Sequence, residues 1–220
     1  MTDEQEGLNH KEMLAGCLYQ TLEMSKKMKT HFSEQAKGKV DIEPFIVVGL
    51  NGEDKEGNHI VGGGIVELER ENEHPVDALP KLLSKLHEEG LEKFAWLCFI
   101  VEGYSRRVDK DDKEGVEKLR NQERGELEKE FMEKIDTDIQ EGIIATIFSW
   151  TGDCIAMTTF YKWGDDGLPI YEEQDEDEML KANTQRTSEM EGKIPDIFDA
   201  FIKYCQMSEQ LNTSTEGEDE

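Results

Sequence analysis

Positive charge is what this 220-residue chain has least of: 25 Lys and Arg stand against 51 Asp and Glu, a formal net of −26. A small soluble domain usually carries a net charge of about 2–8 in magnitude. Phosphate recognition needs a sustained positive field, because most of its affinity is electrostatic. The balance therefore argues against direct binding to DNA, RNA or an anionic membrane, and for a basic partner protein. Two local exceptions exist. Arg106-Arg107 is followed at once by Asp109, Asp111 and Asp112. Lys26, Lys27, Lys29, Lys37 and Lys39 are opposed only by Glu34. Both patches are short, so no direct nucleic-acid binding is expected.

Long apolar runs are also missing. Hydrophobic residues make up 36% of the chain, and no window approaches the ~18 uninterrupted apolar residues of a membrane span. The first residues, MTDEQEGLNHKEM, are polar and lack the basic-then-apolar order of a secretory signal. The expectation is a cytoplasmic protein, in the host cytoplasm if its source is a virus. The sequon Asn212-Thr213-Ser214 is then accidental.

The usual carriers of chemistry are absent too. Cys17, Cys98, Cys154 and Cys205 form no C-x-x-C pair and have no His at metal-ligand spacing, so they read as small core hydrophobes. His10, His31, His59, His74 and His87 form no H-x-H or H-E-x-x-H pair. No Ser sits in a G-x-S-x-G elbow. The carboxylates at 172–178 are crowded but lack the Gly turn of a calcium loop. Gly62-Gly63-Gly64 is followed by no Gly-Lys-Ser/Thr and opens no helix, so a bulge or close backbone packing is expected there rather than a phosphate cradle. No cofactor and no metal are expected.

What the chain does have is acid, spread along it. Residues 142–180 hold nine acids and one base, densest at Asp165-Asp166 and at Glu172, Glu173, Asp175, Glu176, Asp177 and Glu178. Three explanations compete. One is a solvated, solubilising surface. The second is salt adaptation, against which 19 of the 25 bases are Lys and Glu outnumbers Asp 34 to 17. The third is a recognition surface for a basic groove, with those eight carboxylates as its candidate residues. Its sharpest version imitates the phosphate ladder of duplex DNA, whose charges recur every ~1.7 Å.

Apolar periodicity supplies the fold. Leu14, Cys17, Thr21, Met24 and Met28 mark one face of a helix over 10–30, widened by Leu18 and Leu22. Residues 44–50 and 59–69 read as a hairpin turning at Asn51-Gly52 and through 58. Pro75 opens a helix over 76–89, whose regular part is expected to begin only at Pro80. Residues 93–104, KFAWLCFIVEGY, hold eight apolar residues in a row, which implies a strand buried on both faces. Residues 106–141 form a charged insertion. Residues 142–151 and 154–163 form a second hairpin, and 195–207 a last helix. Together these predict an α+β domain over 1–208 with a five-stranded antiparallel sheet flanked by helices, an acidic loop at 164–192 and a disordered acidic tail at 209–220. Large residues on both faces of the second hairpin call for a helix on one. The other is left to the insertion or to a second copy in a homodimer.

This α-β-β-α-β-β-β-α order resembles the roadblock/longin and profilin-like folds in topology. A second likeness is to small phage and bacterial proteins in which an apolar strand ends in an acid–small–aromatic turn, here Glu102-Gly103-Tyr104. It implies a viral or prokaryotic source and no known activity. A shared fold carries no function by itself.

Strand alternation puts Trp96, Cys98, Ile100, Glu102 and Tyr104 on one face. A carboxylate beside apolar walls has a raised pKa and can act as a general acid or base. Glu102, Tyr104 and Arg106 are therefore the candidate catalytic residues of an enzyme reading, in which a cleft at the strand end takes a small substrate. The bland alternative is a Glu102 that is solvated or paired with Arg106. The primary expectation is a non-enzymatic interaction protein that binds a basic partner.

Overall fold

The computed structural model describes residues 3–53, 59–68, 73–89, 91, 94–106, 139–173, 185–186 and 193–215, with isolated positions between 113 and 133. Among the described residues three helices and seven strands follow in chain order: α1 (Asp3–Ala36), β1 (Phe45–Glu53), β2 (His59–Glu67), α2 (Pro75–Glu88), β3 (Trp96–Arg106), β4 (Ile139–Ser149), β5 (Asp153–Trp163), β6 (Pro169–Tyr171), β7 (Gln185–Arg186) and α3 (Lys193–Thr215). Every strand pairing is antiparallel. Six strands run in the order β2-β1-β3-β4-β5-β6, and the two-residue β7 pairs with the other end of β5. The α+β class and the antiparallel sheet are as expected. The count of five is corrected, because Pro169–Tyr171 leaves the acidic stretch and pairs with Tyr161–Trp163.

The continuous apolar run of β3 does place it centrally, between β1 and β4. Its side chains divide by parity between two cores. Leu97 and Phe99 join Ile46, Val48, Phe148 and Cys154 under α2 and α3. Trp96, Cys98 and Ile100 join Phe45, Ile147, Ile155 and Tyr161 under α1. Helices thus cover both faces of the sheet, and Phe148 and Cys154 of the second hairpin pack under α2 and α3. Phe148 and Phe198 stack at 3.8 Å between ring centroids and hold α3 to β4.

Several boundaries differ from the sequence reading. Asn51 and Gly52 are not a turn: they pair with Val61 and Ile60 inside the hairpin. The turn itself, at 54–58, lies outside the described residues. The triple glycine makes no bulge, since the register runs unbroken from Phe45↔Glu67 to Glu53↔His59. Close packing requires glycine at Gly63, whereas a Cβ on Gly64 would meet nothing within 4 Å. Gly49 faces Gly63; a Cβ on Gly49 would overlap the Trp96 indole, and one on Gly63 would stand 2.6 Å from the Val48 carbonyl oxygen. Helix α2 is regular from Pro75 onward, capped by His74, whose Nδ1 accepts from the Val76 N–H at 3.2 Å. Pro80 is exposed, where water can take the carbonyl it leaves free. Helix α3 runs on to Thr215 through the expected tail, because extending a nucleated helix costs little per residue. The charged insertion is narrower than 106–141, since β3 reaches Arg106 and β4 starts at Ile139.

Candidate functional site

The second half of α1 buries polar residues. Below Leu14, Leu18 and Leu22 the inward face continues as Ser25, Lys29 and Ser33, all fully buried. Ser25 keeps its hydroxyl satisfied by donating to the Thr21 carbonyl at 2.8 Å. Lys29 reaches across to the end of β3. Its ammonium lies 2.8 Å from Glu102 Oε1 and 2.9 Å from Oε2, and donates to the Val40 carbonyl at 2.9 Å. Asp41 Oδ1 stands at 3.5 Å. The hydrogen bond to Glu102 runs to Oε2; Oε1 is buried with no donor aimed at it among the described residues. Two rings complete the cage, with the ammonium 4.6 Å from the centroid of Tyr161 and 4.5 Å from that of Trp163. A desolvated cation over aromatic faces gains about 2 kcal/mol or more.

Beside this cage lies an open groove of about 600 Å³, walled by Lys39, Asp41, Tyr104, Tyr161, Lys162 and Trp163 among others. Register builds its floor: Tyr104, Glu141, Tyr161 and Tyr171 fall in one row across β3, β4, β5 and β6. Tyr171 closes the row against α1, its hydroxyl donating to the Lys26 carbonyl at 3.0 Å. Burial pushes the Tyr171 hydroxyl up to about 12. The Tyr161 hydroxyl is also pushed up, by burial and then by the carboxylates of Glu102, Glu141 and Asp41. Lys29 and Glu102 do not line the groove. They sit one side chain deeper, behind Tyr161 and Trp163.

Burial raises the Glu102 carboxyl to about 7, outweighing the opposing pull of Lys29, while Asp41 adds to the rise. The folded state then holds this proton more tightly than the unfolded chain, whose value is near 4.5. The resulting stabilisation is complete below the unfolded value and is lost as pH rises through 7. The shift amounts to about 3 kcal/mol. Urea unfolding of the wild type across this window should show that decline, and Glu102→Gln should flatten it. Equal slopes in the two proteins would show that Glu102 does not titrate there.

The candidate catalytic residues separate in the structure. Glu102 is ion-paired with Lys29 from α1. Tyr104 lines the groove, and its hydroxyl lies 3.5 Å from Glu141 Oε1. The Arg106 backbone pairs with Ile139; its side chain lies outside the described residues. Sequence reasoning missed Lys29 because a helical lysine reads as solvated. The available signal was the i, i+4 stripe from Leu18 through Leu22, which continues onto Ser25 and Lys29.

The acidic candidates also divide. Asp165 and Glu173 are exposed. Asp166 shapes the β5–β6 turn by accepting from the Leu168 N–H at 3.0 Å, and Glu172 accepts from the Gln140 side chain at 3.1 Å. Gly167 packs this turn against Gly38, beside Lys37 and Lys39. Asp175, Glu176, Asp177 and Glu178 lie outside the described residues. The N-terminal lysine patch loses Lys29 to the interior, and Lys26 pairs with Glu23 at 2.6 Å. Among the described residues no three His, Cys, Asp or Glu side chains gather to hold a metal ion, and no helix is long and apolar enough to cross a membrane.

No family model, curated protein or solved structure matches this chain.

Proposed function

We propose that this chain is a non-enzymatic interaction protein that binds a basic partner protein through its acidic exterior. The observation that carries the reading is the net charge of −26, set on a frame whose buried cation, Lys29, is already matched by Glu102 inside the fold. A net excess of this size gives a negative field that reaches outward and steers cationic proteins. In its sharpest form the carboxylates occupy a groove that otherwise holds DNA. Asp165, Asp166 and Glu173, all exposed, are the described candidates for contact. Asp166 and Glu172 contribute charge while holding local structure. The test is capture: immobilised protein is exposed to a lysate, and the retained proteins are identified. A retained set dominated by basic, nucleic-acid-binding proteins supports the reading. A retained set without charge bias removes it.

A second reading rests on the groove at the strand end. Tyr104 stands in its wall, and Glu102, poised near neutrality, lies one side chain deeper. There the groove takes a small polar ligand against Tyr104 and Trp163, with Glu102 adjusting the local field. A ligand screen by thermal shift, repeated on Tyr104→Phe and Glu102→Gln, decides it. A hit whose affinity falls in Tyr104→Phe supports the reading. The absence of hits, or hits indifferent to both changes, counts against it.

A further inference from the structure

The two edges of the sheet are built differently. On one side the described strands are the three-residue β6, which begins at Pro169, and the two-residue β7, each pairing with β5. Short strands and proline are the usual ways to stop a sheet from recruiting another. On the other side β2 is nine residues long, carries neither Lys nor Pro, and among the described residues pairs only with β1. Every second residue of such a strand turns its N–H and C=O groups away from its neighbour, and on this side no strand among the described residues meets them. Ile65 is 47% exposed on it.

The sequence of β2, HIVGGGIVE, is self-complementary about Gly63. A second β2 laid antiparallel, with a two-fold axis through Gly63, places His59 opposite Glu67 of the second copy. It places Ile60 opposite Val66, Val61 opposite Ile65, and Gly62 opposite Gly64. The β-branched residues then meet β-branched residues, and a histidine meets a carboxylate at each end. Directly opposed pairs of these kinds are the units that stabilise an antiparallel ladder. The register of β2 against β1 is unbroken over the same nine residues, so the edge is straight enough to continue the sheet. Helix α1 packs over β3 to β6, toward the far side of the sheet.

We propose that β2 is a self-pairing edge, and that two copies of this chain join through antiparallel β2–β2 pairing centred on Gly63 into one continuous sheet. A second copy is the occupant that the sequence of β2 matches residue by residue in this reversed register. The interface is separate from the acidic surface proposed for the basic partner.

Sedimentation of the full chain across a dilution series is the test. The wild type should pass from dimer to monomer. Ile65→Lys, which puts a cation in the apolar stretch of the edge, should remain monomeric with its unfolding profile intact. His59→Glu sets carboxylates opposite each other at both ends and should weaken the dimer about tenfold. His59→Glu combined with Glu67→Lys restores opposite charges in this register and should recover most of that loss. Monomer at every concentration overturns the proposal. So does a dimer whose dissociation constant ignores both the charge reversal and its rescue.

Discussion

Lys29→Ala should be among the most destabilising single substitutions in the protein, at about 3–5 kcal/mol above neutral pH. The reason is what remains. Glu102 is only 10% exposed, and Lys29 supplies the cationic hydrogen bond to its Oε2. Without the ammonium, a buried carboxylate faces Tyr161 and Trp163 with no counter-charge. The variant also cuts the link from α1 to β3 and to the Val40 carbonyl, so the loss should appear first as increased amide exchange in the second half of α1. Below neutral pH the loss should shrink, because Glu102 can then take a proton instead. Replacing both partners, Lys29→Met with Glu102→Leu, should recover most of the stability, since well-packed apolar pairs often equal buried ion pairs. Urea denaturation of the three proteins separates the cases. If Lys29→Ala unfolds like the wild type, the cage does not hold α1 to the sheet.

Phe198→Ala should cost a similar amount, about 3–5 kcal/mol. Phe198 is fully buried and stacks on Phe148, also fully buried, with 11° between the ring planes. The sheet beneath is held rigid by β3 and β5 on either side of β4. A hole there cannot close by moving β4, so both the transfer loss and the cavity loss apply. The nearby Phe94–Phe201 stack, at 6.2 Å, keeps part of α3 in place. Local release of α3 should therefore precede global unfolding. A loss below about 1 kcal/mol, within the range of an ordinary surface change, would mean that α3 is not seated on β4 at this point.

The sequence was legible where one physical signal dominated. Eight apolar residues in a row could only be a strand covered on both faces, and β3 is that strand. Leu79, Leu83 and Phe198 declared their helices by period. It was misleading where polar residues do interior work. In α1 the true centre of the buried stripe is Leu18, Leu22, Ser25 and Lys29, while Cys17, Met24 and Met28 lie half-buried at its flanks. Hydrophobicity pointed to the methionines because a buried Lys needs a partner, and that partner is 73 residues away on β3. Asn51-Gly52 is a strong turn signal locally, but pairing with Ile60 and Val61 keeps both residues in the strand. β6 was hidden because three residues show no periodicity. Of the site, Glu102 and Tyr104 were legible from alternation, whereas the cage around Lys29 depends on contacts no local pattern records.

The claim that matters most is that the acidic exterior is a binding surface, and its direct measurement is the dissociation constant of the captured partner across a salt series, with duplex DNA as competitor. Charge attraction between the two proteins is screened over about 8 Å at physiological ionic strength. The predicted result is an affinity that falls steeply and steadily as salt rises, and a partner that duplex DNA releases. An affinity that stays constant across the series, for a partner that DNA does not displace, would contradict it.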